Sequence, residues 1–209
     1  MNRCLLHPAA KPLLWLLLAA PAASLLAGAL QGSLGANPAE ALIRGLGDWT
    51  LRMLCLALAL TPLRQLSGWS GLARFRRNLG VATFIYATLH WLAYAWLDQG
   101  LDLAALLKDI AKRPFILVGT AAWLALLPLA ATSFNAAVRA MGGAAWRDLH
   151  KLAYVIGPVA LLHFFWMKAG KQDFAEVAVY SLVIALLLGW RWWRRGTGRQ
   201  AAAGLTRPR

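Results

Sequence analysis

Acidic side chains are scarce in this sequence. Eight aspartates and glutamates stand among 209 residues, against 22 lysines and arginines, and all charged residues together make up only 14% of the chain. A water-soluble domain carries nearer a quarter, so an ordinary soluble enzyme is excluded. Cysteine is almost missing too. Cys4 and Cys55 lie far apart with no CxxC motif and no histidine nearby, which excludes a disulfide framework and a structural zinc site. Each reads as a small apolar residue. What is abundant is apolar surface: 60% of the residues are hydrophobic, an excess that requires lipid as its solvent. The net charge of +14 raises nucleic acid as a partner. The basic residues, however, lie between long apolar runs rather than along a polar face, so no nucleic acid partner is expected.

Six apolar stretches stand out, over residues 13–30, 43–63, 79–97, 115–132, 149–167 and 177–193. Each is near the ~20 residues that span a bilayer core. In lipid every backbone polar group must be paired within its own segment, so helices are expected. The predicted fold class is all-α, a polytopic membrane protein built as a six-transmembrane-helix bundle. The second stretch contains Arg44, Asp48 and Arg52, so its membrane part is placed from about Trp49. Trp15, Trp49, Trp91, Trp96, Trp123, Trp166 and Trp190 lie mostly toward segment ends, as interfacial anchors do. The first stretch has two readings. Arg3, Lys11 and the small residues at 27–29 resemble a cleavable signal peptide, but the apolar run of 18 residues exceeds the usual ~7–15. An uncleaved first helix is expected.

The domain organisation follows: residues 1–12 as an N-terminal tail, 13–193 as the transmembrane domain and 194–209 as a basic, disordered tail rich in Gly and Ala. Residues 101–110 are amphipathic and are expected on the outer surface. No internal repeat and no soluble domain are visible. With the N-terminal side taken as inside, fifteen of the 22 lysines and arginines fall inside and seven outside, while seven of the eight acids fall outside. The positive-inside rule then places both termini in the cytoplasm, with attraction to anionic membrane lipid as a secondary use of the charge.

Ionisable residues inside a membrane are costly and point to function. His7 lies in the N-terminal tail. His90 lies well inside the third stretch, His150 opens the fifth and His163 lies toward the fifth's far end. The third and fifth stretches run in the same direction. His90 is about 16 Å and His163 about 21 Å along them at 1.5 Å per residue, so the two can meet at one depth. Imidazoles on parallel helices can clamp a heme iron from both faces. Interhelical hydrogen bonding, metal transport and a proton relay are the other readings. Paired acids inside the helices, which a relay would use, are lacking. His150 and His163 differ by about 140° around a straight helix. Either Gly157 and Pro158 bend that helix, or His150 precedes it. Arg76, 14 residues before His90 and near the same face, belongs to a cluster with Arg74 and Arg77. Such a cluster can hold a phosphate or a propionate, or simply be a positive-inside loop.

Several motifs together resemble a known family: GSLGANPAEAL after the first stretch, LTPLR closing the second, RFRRNLG and ATLHWLAYA in the third, KRPFILVGTAAW opening the fourth, and WRDLHKLAYV with LLHFFW in the fifth. In this order they are similar to the MsrQ (YedZ) family of the ferric-reductase-like transmembrane group, over nearly residues 31–167. The resemblance implies a heme b membrane subunit of the bacterial cell inner membrane, also carrying FMN. It further implies a heterodimer with a periplasmic molybdopterin-containing methionine sulfoxide reductase that repairs oxidised proteins. By motif, His90, His150 and His163 are heme ligands or near-ligands, and Arg76 stands where larger relatives have a fourth histidine. That substitution leaves FMN, a heme of unusual ligation or a quinone as readings for the inner site. Relatives that oxidise NAD(P)H append a flavin and nicotinamide domain after the last helix, whereas about 16 residues follow Trp193 here. The expected donor is therefore a membrane quinol or a separate cytoplasmic flavin reductase, and the substrate-reducing site is expected on the partner.

Overall fold

A computed structural model describes the backbone of residues 2–170 and 172–205, with the side chains of Arg3, Cys4 and residues 195–205 outside the description. The charges at Arg3, Lys171, Arg195, Arg199, Arg207 and Arg209, used above to orient the chain, therefore lie outside the described residues, as does Cys4. Cys55 is a free, buried thiol.

The described chain is helical. A short α1 (Asn2–Leu6) precedes α2 (Ala10–Leu30) and α3 (Pro38–Ser67); a 3-10 segment (Ser70–Phe75) leads into α4 (Arg76–Ala93), which continues as a π turn (Tyr94–Asp98). Then come α5 (Leu103–Lys112), α6 (Pro114–Ala131), α7 (Asn135–Met141), α8 (Gly143–Leu149), a 3-10 turn (His150–Leu152), α9 (Ala153–Ala169) and α10 (Ala175–Leu205). The start of α3 is encoded locally. Asn37 accepts from the Glu40 N–H at 3.1 Å and donates to the Glu40 carboxylate at 3.2 Å, with Pro38 at the first helical position. Its end is set by Gly68, whose left-handed φ of 69° suits a residue without Cβ.

Among the described residues, five helices are long and apolar enough to cross a membrane: Ala10–Leu30, Pro38–Ser67, Pro114–Ala131, Gly143–Ala169 and Ala175–Arg194. α4 (Arg76–Ala93), which holds most of the predicted third span (residues 79–97), is not among them, because its 18 residues open with Arg76, Arg77 and Asn78. α4 packs against α3, α6 and α2, and its polar residues face protein: Thr83 is 1% exposed and Tyr86 3%. Its opposite face stays apolar and outward, with Ile85 41%, Leu89 39% and Leu92 48% exposed. The centre of the bundle is thus α3, α4, α6 and α9, with α2 against α3 and α10 against α9 and α3. On α2 and α10 the large apolar residues point outward, with Leu16 70% and Leu186 63% exposed, as lipid-facing surfaces require.

Two polar ties replace backbone bonds that these helices lack. The Tyr86 hydroxyl enters the ladder of α2 one residue from Pro21, donating to the Leu18 carbonyl at 2.7 Å and accepting from the Ala22 N–H at 3.0 Å. In α3, Pro62 has no N–H for the Leu58 carbonyl four residues earlier. Arg191 of α10 supplies that donor at 2.6 Å, while its guanidinium lies 5.0 Å over the Tyr154 ring.

Outside the spans, Asp109 of α5 gathers three segments. It accepts from the Tyr94 hydroxyl at 2.5 Å and from Arg113 Nε at 2.6 Å, and pairs with Arg113 Nη2 as well. Burial opposes its charge, but the Arg113 and Tyr94 hydrogen bonds hold its carboxyl below the ordinary carboxylate range. A carboxyl depressed in the folded state stabilises the fold above its unfolded value near ~3.9 and loses that contribution as pH falls through the depressed value. Asp109→Asn is therefore expected to cost about 1–3 kcal/mol at neutral pH. In thermal melts, the gap to the parent protein should close toward acid pH.

The structure also differs from the sequence expectations. Trp91 and Trp123 stack on each other at 4.6 Å inside the bundle, and the Trp123 indole N–H donates to Thr88 at 3.0 Å. They are packing residues rather than interfacial anchors. The last helix runs on past Trp193 to Leu205, into the segment assigned above to a tail, where Gln200–Ala201–Ala202–Ala203 has high helix propensity.

Candidate functional site

His90, three residues before the end of α4, and His163, in the second half of α9, come together across the bundle. Their ring centroids are 6.1 Å apart, with the planes at 69°. Each ring is fixed by a backbone carbonyl on a third or fourth helix. His90 Nδ1 is 2.8 Å from the Ile43 carbonyl of α3, and His163 Nδ1 is 2.7 Å from the Phe115 carbonyl of α6. A carbonyl can only accept, so each Nδ1 carries the hydrogen, and in the neutral ring Nε2 keeps its lone pair. This is the arrangement in which second-shell partners orient metal-bound histidines.

Both rings line a cavity of about 540 Å³, walled by Trp91, Trp123, Phe115 and Phe164 among others. The Trp91 indole N–H is buried there and has no hydrogen-bond partner. Toward one end the lining includes Arg44, Arg113 and Lys168, each tied to an acid: Glu40 at 2.7 Å for Arg44, Asp109 for Arg113, and Glu176 at 2.6 Å for Lys168.

Among the described residues, no group of three or more His, Cys, Asp and Glu is placed to hold a metal ion. A zinc site built by protein alone needs three or four such ligands, so the histidine pair does not fit one. It fits a metal whose other positions belong to a planar macrocycle. The 6.1 Å between the ring centroids would leave room for one metal ion between the two imidazole nitrogens.

The other sequence candidates lie elsewhere. His150 opens the 3-10 turn before α9, so it precedes the regular helix and the angular mismatch with His163 does not arise. Its ring stacks on Trp146 at 3.9 Å and its Nδ1–H donates to the Trp146 carbonyl at 3.0 Å. Arg76 donates to the Thr61 hydroxyl of α3. Arg77 turns away to Asn135 at 2.7 Å. The structure therefore separates Arg77 from Arg76. It adds Arg191, which reaches the same Thr61 hydroxyl at 3.5 Å. Arg191 was hidden in the sequence among the basic residues closing the last apolar run; Pro62 inside α3 was the available signal that some donor had to be supplied.

Two glycines were also missed. A Cβ on Gly47 would lie 3.0 Å from His90 Cε1, and one on Gly119 would lie 2.8 Å from both Cε1 and Nδ1 of His163. Each glycine stands four residues after the carbonyl that holds the ring. The carbonyl, glycine and histidine thus recur as a unit: Ile43, Gly47 and His90, then Phe115, Gly119 and His163, displaced by about 72 residues. Interior glycines in helical runs, each costing about 1 kcal/mol against alanine, were the sequence signal.

Comparison with known proteins bears on this arrangement. Residues 46–161 match the family described as ferric reductase like transmembrane component, a stretch that holds His90 and His150 and stops two residues before His163. Over its whole length the chain is similar to proteins named protein-methionine-sulfoxide reductase heme-binding subunit MsrQ. That of Polaromonas naphthalenivorans is 56% identical, covering 98% of this chain and 96% of the relative. The chain belongs to the MsrQ family. Further MsrQ relatives are those of Ralstonia nicotianae, 53% identical over 91% of this chain and 88% of the relative, and Herminiimonas arsenicoxydans, 47% identical over 83% and 81%. No solved structure matches the chain. The MsrQ relatives align across all three helical-bundle histidines, whereas the broader family match does not reach the second member of the facing pair.

Proposed function

We propose that this chain is the heme-binding, electron-transferring membrane subunit of a protein-methionine-sulfoxide reductase. The observation that carries the reading is the facing pair His90 and His163, each with its Nδ1–H on a backbone carbonyl and Nε2 left available in an apolar cavity. The names of its MsrQ relatives supply the heme and the reductase.

In this reading His90 and His163 would hold heme b through their Nε2 atoms, and that group would supply a one-electron couple inside the membrane. The protein's own part is orientation and exclusion. Ile43 and Phe115 fix the ring tautomers, while the stacked Trp91 and Trp123 help keep water out. The bundle spans the bacterial inner membrane six times, with α4 as the sixth span and both termini in the cytoplasm. Electrons enter at the inner end, from the quinone pool or a cytoplasmic flavin reductase. There Arg76, Arg191 and Thr61 converge and His150 stands on Trp146. Arg76 and Arg191, the converging cations, would hold the phosphate of an FMN at this end, and Arg77, engaged with Asn135, would contribute less. Electrons leave at the outer end to a periplasmic molybdopterin-containing reductase subunit, which holds the substrate site. A histidine relay for transport or proton conduction is disfavoured, because both Nδ1 hydrogens end on helix carbonyls and point along no chain of acids.

Heme, iron and flavin content measured on one purified sample tests the reading. A single b-type, low-spin heme per chain is expected, because His90 and His163 are the histidines brought together on one cavity among the described residues. Colourless protein after expression with sufficient heme would overturn it.

A further inference from the structure

We propose that Gly47 and Gly119 are positioning residues which, by lacking a side chain, let the carbonyls of Ile43 and Phe115 lock His90 and His163 in one tautomer and one ring plane. The inference rests on the heme reading above and deepens it. In α3 the Ile43 carbonyl already accepts from the N–H four residues on, that of Gly47, and in α6 the Phe115 carbonyl likewise faces Gly119. At both sites the imidazole N–H that shares the carbonyl approaches over the residue at i+4, where a Cβ would obstruct it. At Gly47 it would meet His90 Cε1 at 3.0 Å and Nδ1 at 3.2 Å; at Gly119 it would meet Cε1 and Nδ1 of His163 at 2.8 Å.

The obstructing atoms belong to the ring itself, so the ring has to retreat from the carbonyl. The hydrogen bonds at 2.8 and 2.7 Å would lengthen or break. A ring without that acceptor is a poorer electron donor through Nε2 and is free to rotate. Other glycines of the bundle lack this geometry. A Cβ on Gly80 of α4 meets nothing within 4 Å, and one on Gly45 meets only the flexible end of Leu25.

The test uses the full-length, heme-loaded protein in detergent, with Gly47→Ala, Gly119→Ala and Gly80→Ala as the control. Transfer of heme to an excess of apomyoglobin should be about 10- to 100-fold faster in the first two variants, as for other second-shell losses, and unchanged in the control. Because the weakened ligand serves ferric iron more than ferrous, the midpoint potential should rise, a tenfold difference between the two states amounting to 59 mV. Wild-type rates and potentials in both alanine variants would overturn the proposal while leaving the heme reading intact; a wild-type protein without heme would overturn the heme reading itself. A measurement without any variant guards against misfolding. Ring planes locked at 69° should give the ferric wild-type protein the strongly anisotropic low-spin resonance of near-perpendicular axial imidazoles. The rhombic signal of near-parallel rings would equally overturn the proposal.

Discussion

His90→Ala and His163→Ala should each remove the b-type absorption of the reduced protein, with heme content falling at least about tenfold in either variant. Both are expected to be severe because the site has no substitute. Among the described residues no third ligand group stands beside the pair, and His150 is stacked on Trp146 away from the cavity lining. Each alanine also leaves a helix carbonyl without its second donor, at Ile43 or at Phe115. Size-exclusion profiles of the variants separate loss of cofactor from loss of fold. His150→Ala is the informative contrast: it should retain the spectrum. An unchanged spectrum in both His90→Ala and His163→Ala would refute the ligand assignment.

Arg191→Met should destabilise the protein by about 2–4 kcal/mol, because it leaves the Leu58 carbonyl without any donor in a segment facing lipid and protein. The helix cannot repair itself, since the residue that would supply the N–H is Pro62. Tyr86→Phe is the natural comparison. It removes a hydroxyl that also bridges a backbone gap, between Leu18 and Ala22. Those two groups are ordinary helical partners four residues apart and can close on each other once the hydroxyl is gone. Its cost should be smaller, about 1 kcal/mol. Thermal unfolding of the two variants in the same detergent measures the difference, and equal costs would show that the proline is not what makes Arg191 necessary.

Much of this fold is legible in the sequence because lipid imposes a crude rule that the chain obeys openly. Apolar runs of nearly the right length marked five crossing helices, and the sixth expected helix is present although polar residues dilute its apolar character. Thr83 and Tyr86 among them could be assigned to the interior only once α3, α6 and α2 were seen packed against it. The facing of His90 and His163 was legible from depth along parallel helices, since rise per residue is constant. The ring-holding groups were not legible. A carbonyl has no residue type, so Ile43 and Phe115 carry no mark, and the absence of a side chain at Gly47 and Gly119 acquires meaning only against the ring that fills the space. Arg77 misled for a related reason. Adjacent residues on a helix point about 100° apart, so a run of arginines read as one cluster is divided between Thr61 and Asn135.

The recurrence of carbonyl, gap and ring in two helical hairpins gives the centre an approximate two-fold axis running along the bundle. Neither imidazole is set apart from the other by its backbone partner, so the pair by itself encodes no direction for electron flow. Polarity has to be imposed by what docks at the two ends, where the resemblance stops: arginines, a threonine and an indole-stacked histidine at one, ion pairs of Arg44, Arg113 and Lys168 with acids at the other.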